Sequence, residues 1–193
     1  MFLCDVSVQL WVTLVNLLHR DSRRSRKGPQ KTTVKLNPMG KEIERKFLVN
    51  GNDYRSRGTA VHIRQGFLST AKERVVRIRI MGDKAFFTVK GISTGATRAE
   101  FEYGIPVADA HFMLDNLCEK PIIDKHRFSI PFRGFTWEVD EFHGENEGLV
   151  IAEIELPSED AVFEMPDWIG EEVTHDPRYY NSNLVKNPFK SWE

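Results

Sequence analysis

The chain has 193 residues, 40% of them hydrophobic and 28% charged, with 27 Lys and Arg against 28 Asp and Glu for a formal net charge of -1. These values suit one soluble domain with a real core, and the balanced charge argues against a nucleic-acid binder of the simple basic kind. Cys4 and Cys118 offer no disulfide framework, so a reducing, cytoplasmic setting is expected, and the scattered histidines lack zinc-ligand spacing.

Residues 1–38 differ from everything after them. An apolar run at 6–18 precedes a basic tract at 19–29. The run is too short to span a bilayer as a helix, and it lacks the basic start and small-residue cleavage site of a signal peptide. One reading is an amphipathic surface anchor beside a polybasic tract. The stronger reading is a non-core extension, disordered or left by an upstream start site, with the domain occupying 39–193 and no membrane partner.

The first strand is expected in Lys41-Glu42-Ile43-Glu44-Arg45-Lys46-Phe47-Leu48-Val49. Side chains alternate across an extended strand, so Glu42, Glu44 and Lys46 share one face and Ile43, Arg45 and Phe47 the other. Seven further strands are predicted at 60–69, 74–81, 84–90, 98–106, 120–130, 134–142 and 149–157. Turn signals such as Met81-Gly82-Asp83, the 91–95 loop and Pro131-Phe132-Arg133-Gly134 separate them. The 91–95 loop is not a phosphate-binding P-loop, since no Gly-Lys-Ser/Thr follows it. Helical spacing of Val107, Ala110, Met113, Leu114 and Leu117 predicts a helix over 107–118. Ser158-Glu159-Asp160 reads as a second helix start, and a final helix is expected over 177–185 with Tyr179, Tyr180 and Leu184 able to pack. Many short antiparallel strands imply a barrel or sandwich.

The polar faces of these strands are segregated by charge. Arg77 and Arg79, then Lys125 and Arg127, are cations at period two; Glu100 and Glu102, Glu138 and Asp140, and Glu153 and Glu155 are carboxylates at period two. A solvated sheet face mixes both signs with Thr, Ser and Gln, because only solubility and cross-strand pairing constrain it. Turned inward, these rows with Glu42, Glu44, Lys46, Arg64 and Lys90 would be costly to bury without partners. Internal salt bridges neutralise part of the set. A polyanion on the Arg and Lys rows, with divalent cations on the carboxylates, neutralises the rest.

At this point the sequence resembles the CYTH family of triphosphate tunnel metalloenzymes. The resemblance rests on Glu42-Ile43-Glu44-Arg45-Lys46, Arg64-Gln65-Gly66, Arg77-Ile78-Arg79, Phe87-Thr88-Val89-Lys90, Arg98-Ala99-Glu100-Phe101-Glu102, Asp124-Lys125-His126-Arg127, Glu138-Val139-Asp140 and Glu153-Ile154-Glu155. It implies a mainly β, α+β fold: an eight-stranded antiparallel β-barrel tunnel with a few flanking helices and a C-terminal plug helix, often dimeric. The implied activity is hydrolysis of a small-molecule triphosphate with Mg²⁺ or Mn²⁺, with inorganic tripolyphosphate the leading substrate. Carried over by position, Glu42, Glu44, Glu153, Glu155 and Asp140 are implied metal ligands, with Glu138 assisting. Lys46, Arg64, Arg77, Arg79, Lys90 and Arg127 form the implied phosphate clamp. Lys125 acts near the scissile phosphoryl group, with Glu153 and Glu155 beside it as catalytic carboxylates. Short bacterial relatives carry a tyrosine where this chain has Phe67, so a Tyr-Lys dyad is not expected. Thiamine triphosphatase and class IV adenylate cyclase remain open within the family, and a non-catalytic nucleotide or polyphosphate binder outside it.

Overall fold

The computed structural model describes residues 43–92 and 99–192. The expected extension at 1–38, Glu42 and most of the 91–95 loop lie outside the described residues.

The described residues form nine strands: β1 (Ile43–Val49), β2 (Thr59–Ser69), β3 (Arg74–Met81), β4 (Lys84–Gly91), β5 (Glu100–Ile105), β6 (Ile123–Phe132), β7 (Phe135–Phe142), β8 (Val150–Leu156) and β9 (Ile169–Glu172). Among the described residues two α-helices accompany them, α1 (Val107–Asn116) and α2 (Asn181–Lys186). The eight predicted strands are all present, with small shifts at their ends. β6 begins only at Ile123, beyond Pro121, which has no N–H to give a ladder.

All neighbours pair antiparallel in the order β5-β4-β3-β2-β6-β7-β8-β1-β9. Two details differ from the expected eight-stranded barrel. The short β9 adds to β1, and hydrogen bonding does not close the sheet, which leaves β5 and β9 as its edges. β9 escaped prediction because Ile169-Gly170-Glu171-Glu172 is short and barely alternates. Gly170 permits the pairing, since a Cβ there would sit 3.1 Å from the Leu48 carbonyl oxygen.

The tight hairpins follow from their turn residues. Arg133 and Gly134 link Phe132 to its partner Phe135 with φ of 49° and 86°, the left-handed pair that matches strand twist. Gly82, at φ 58°, begins the two-residue turn between the paired Met81 and Lys84.

Three apolar clusters position the sheet. Phe47, Tyr54, Ile130, Trp137, Val139 and Ile154 form an outer core over β1, β6, β7 and β8. Ile78, Ile80 and Ala85 pack under α1 through Ala110 and Leu114. Gly66 allows that approach, because a Cβ there would meet Cys118 Cβ at 2.8 Å and Leu114 Cδ2 at 3.1 Å. On the inner face, Phe67, Ile123, Phe142 and Ile151 meet Leu184 and Val185 of α2, so the C-terminal helix plugs one end.

Two helical expectations are corrected. No helix starts at Ser158; the chain makes one turn there and runs irregularly to Pro166. Burial wins over the cap signal, as Phe163 lies edge-on to Trp137 and Phe47 with ring centroids 5.9 and 6.3 Å apart. The final helix is split into a 3₁₀ turn at Pro177–Tyr179 and α2, with Tyr180 extended between them at φ -79° and ψ 130°. Tyr179 and Leu184 are buried as expected, while Tyr180 stays partly exposed. None of the helices among the described residues is long and apolar enough to cross a membrane.

Candidate active site

Alternation sends one set of side chains from β1 to β8 to the inner face, where they line a cavity of about 1000 Å³. Lys46, Arg77, Arg79, Lys90, Lys125 and Arg127 line it together with Glu44, Glu100, Glu102, Glu138, Glu153 and Glu155. The rows that are segregated by sign along the chain become neighbours of opposite sign across the sheet. Lys46 is the register partner of Glu153, Arg127 of Asp140 and Lys90 of Glu100.

Each cation is held. Lys46 Nζ donates to Glu44 at 2.8 Å and to Glu153. Arg127 donates to Asp140 from Nε at 2.7 Å and from NH2 at 2.6 Å, to Glu153 at 2.7 Å, and to Glu138. Lys125 donates to Asp140, stands 3.5 Å from Asn181 Oδ1 and lies over the Phe142 ring. Lys90 pairs with Glu100 at 3.1 Å, and Arg77 and Arg79 share Glu102.

The electrostatics follow from burial and these contacts. Burial and the neighbouring Glu153 carboxylate push Glu44 up to about 7, although Lys46 opposes them and 37% of the Glu44 side chain remains accessible. Burial works against the Glu153 charge too, but Lys46, Arg127 and Lys125 outweigh it and hold this carboxyl well below the usual range. Burial lowers Lys125 against the pull of Asp140. Burial and the adjacent Arg79 bring Arg77 down to about 10.

Two expected site residues stand elsewhere. Arg64 is on the outer face of β2, where its NH2 donates to Asp115 of α1 at 3.1 Å and its NH1 lies 3.2 Å from His111 Nδ1. Its neighbours Ile63 and Gln65 are the inward residues, so period two excludes Arg64 from the cavity. Asp140 is fully buried behind the cavity wall, with both oxygens taken by Lys125 and Arg127. That environment suits an anchor for two cations rather than a metal ligand. Asn181 and Tyr180 line the cavity, and the buried Thr88 supports it through Arg77 and Glu102, none of the three having been singled out as site residues. Thr88 could have been read from its alternation with Lys90, whereas Asn181 and Tyr180 come from the plug segment, where strand periodicity gives no signal.

The remaining carboxylates fit a hard divalent cation. Glu44 and Glu155 are direct cross-strand partners on one face, an arrangement that like charges disfavour unless a cation lies between them. Glu155 makes no ion pair with a described residue, and the donors are oxygen only, which suits Mg²⁺ or Mn²⁺. Among the described residues no three such side chains already converge, and Glu42 lies outside them. Glu153 now spends one oxygen on Lys46 and the other on Arg127, so as a ligand it would need one of them to turn to substrate.

An antiparallel sheet wrapped around paired cations and carboxylates, plugged at one end, defines a tunnel-type site whose cationic rows suit a polyanion. The model of the CYTH domain matches residues 40–182, and the chain belongs to that family. A curated relative from Acetivibrio thermocellus named inorganic triphosphatase is 61% identical over 155 residues, 80% of this chain and 99% of its own length. A second of that name, from Nitrosomonas europaea, is 40% identical over 153 residues, 75% of this chain and 96% of its own. The crystal structure of an inorganic triphosphatase, 38% identical, superposes with a TM-score of 0.56 over 75% of this chain and 93% of that one.

Proposed function

We propose that this protein is a divalent-metal-dependent triphosphatase that hydrolyses inorganic tripolyphosphate inside the cavity. The observation that carries the reading is the convergence of six cationic side chains on one cavity that also holds Glu44, Glu153 and Glu155. Lysine and arginine rows suit the oxygens of a linear triphosphate, and the names of the two curated relatives point to the same substrate. We assign residues 39–193 as the catalytic domain and a reducing, cytoplasmic setting.

In this reading Lys46, Arg77, Arg79, Lys90 and Arg127 hold the phosphate oxygens and offset charge as it develops. A Mg²⁺ or Mn²⁺ ion on Glu44, Glu153 and Glu155 supplies further neutralisation of those oxygens when bound. Water attacks the terminal phosphorus in line, the bond to the bridging oxygen breaks, and orthophosphate and pyrophosphate result. Lys125 sits beside the terminal phosphoryl group, aimed by Asp140 and Asn181. Phe67 belongs to the apolar plug contact and has no hydroxyl to share this work. Most of the rate comes from positioning and electrostatics.

The test is phosphate release by the full chain from tripolyphosphate, ATP and thiamine triphosphate, each with Mg²⁺, Mn²⁺ or chelator, with cyclic AMP assayed in parallel. Metal-dependent release, fastest from tripolyphosphate, is expected. Preference for thiamine triphosphate, or cyclic AMP without orthophosphate, would move the protein to another branch of the family. Tight binding without turnover would make it a binding module.

A further inference from the structure

The carboxylates of β5 take no part in the chemistry above, yet one of them is the hub of the most connected polar group on that side of the cavity. Glu102 Oε2 accepts hydrogen bonds from Arg77 NH2 at 3.2 Å, Arg79 NH2 at 3.0 Å and Thr88 Oγ1 at 2.9 Å. Thr88, fully buried, also accepts from Arg77 NH2 at 3.3 Å, so β3, β4 and β5 are laced together through one oxygen. The register explains the convergence, since Arg77 faces Thr88 and Thr88 faces Glu102 in one row across three strands. The Phe86 ring, 5.4 Å from the Arg79 guanidinium, constrains it from a second side.

The way the two guanidiniums are used is informative. Each commits only its NH2 to Glu102, and the NH1 and Nε groups make no hydrogen bond to a described residue, the two Nε atoms being buried. Two arginines two residues apart on one face repel each other, and a carboxylate between them removes that penalty while leaving donors unspent. Resting on the triphosphatase reading, we propose that Glu102 is a positioning residue for substrate recognition: it holds Arg77 and Arg79 side by side through NH2, so that their NH1 donors meet adjacent phosphate oxygens of the triphosphate. It does not touch the reacting atoms, and its effect is exerted through the two arginines.

The proposal is tested in the full chain with Glu102→Gln and Glu102→Ala, alone and combined with Arg79→Lys. Calorimetry with tripolyphosphate in chelator reads binding without turnover, and kinetics with Mg²⁺ and a thermal melt accompany it. The alanine variant is expected to raise both the chelator Kd and KM by about tenfold or more, with kcat changed far less and the melt retained. Glu102→Gln, which keeps an acceptor, should fall between wild type and alanine, and serves alone if the alanine variant does not fold. In the Arg79→Lys background the loss should shrink, because the pair to be held is already broken. Tighter binding in either variant would instead make Glu102 an internal competitor of phosphate, and unchanged affinity with a lower melt would make it a purely structural residue; each overturns the proposal, as does a wild-type chain that binds no tripolyphosphate. Wild type that binds but does not hydrolyse, with binding weakened in the variants, would sink the catalytic reading while leaving the role of Glu102 standing.

Discussion

Glu153 and Glu155 stand two residues apart on β8 and line the same cavity, but their surroundings give them different work. Glu153 is almost buried and engages Lys46 and Arg127, so replacing it disturbs two cations at once. Glu155 is exposed to the cavity and makes no ion pair with a described residue. Glu155→Gln is therefore the cleaner test of the proposed metal set. It should lower kcat/KM on the order of 10²-fold, move the metal dependence to higher concentration and leave the melting temperature unchanged, as read by metal titration and calorimetry. Both glutamates were legible in the sequence as one row of like residues. Their difference was not, because it depends on which residues of β1 and β6 lie across from each. Asp140 teaches the same point: alternation puts it on the inner side, but only the contacts with Lys125 and Arg127 show that it has no oxygen to spare.

At the scale of elements, the outer face of β7 is tied to the 3₁₀ turn Asp53–Ser56 by a cluster around Glu141. The Tyr54 hydroxyl donates to Glu141 Oε2 at 3.0 Å, and Arg55 donates from Nε at 2.9 Å and from NH2 at 2.7 Å. The hydrogen bond from Arg55 holds the Glu141 carboxyl below its ordinary value. Since the folded pKa is depressed, the stability this group contributes is present in full above the unfolded value near 4.5 and is lost as pH falls through the folded one. Wild type should exceed Glu141→Gln in melting temperature at neutral pH, and the gap should close as pH drops below that value. A gap that stays constant across a pH series of melts would reject the assignment. The hairpins and α1 were readable from turn residues and helical spacing because their causes are local. The failed helix at Ser158 and the split before α2 have distant causes, the Trp137 and Phe47 rings in one case and the plug contacts in the other.

At the scale of the molecule, one sheet of nine strands bends around a charged cavity and relies on the C-terminal segment to seal one end. The family match spans residues 40–182 of this chain, and the activity is proposed for the part from Met39 onward. A protein comprising residues 39–193 should melt and turn over tripolyphosphate within about twofold of the full chain; aggregation or lost turnover would show that the first residues are needed. The sequence by itself determined eight of the nine described strands and the sign-segregated rows that suit a polyanion, because period-two alternation and residue type are properties of short stretches. The tertiary structure alone decided that Arg64 faces α1, that Asp140 is spent on two cations, that Glu102 gathers Arg77 and Arg79, and that the sheet stays open between β5 and β9. Each of these depends on register and packing between segments far apart in the chain, and no local pattern carries that information.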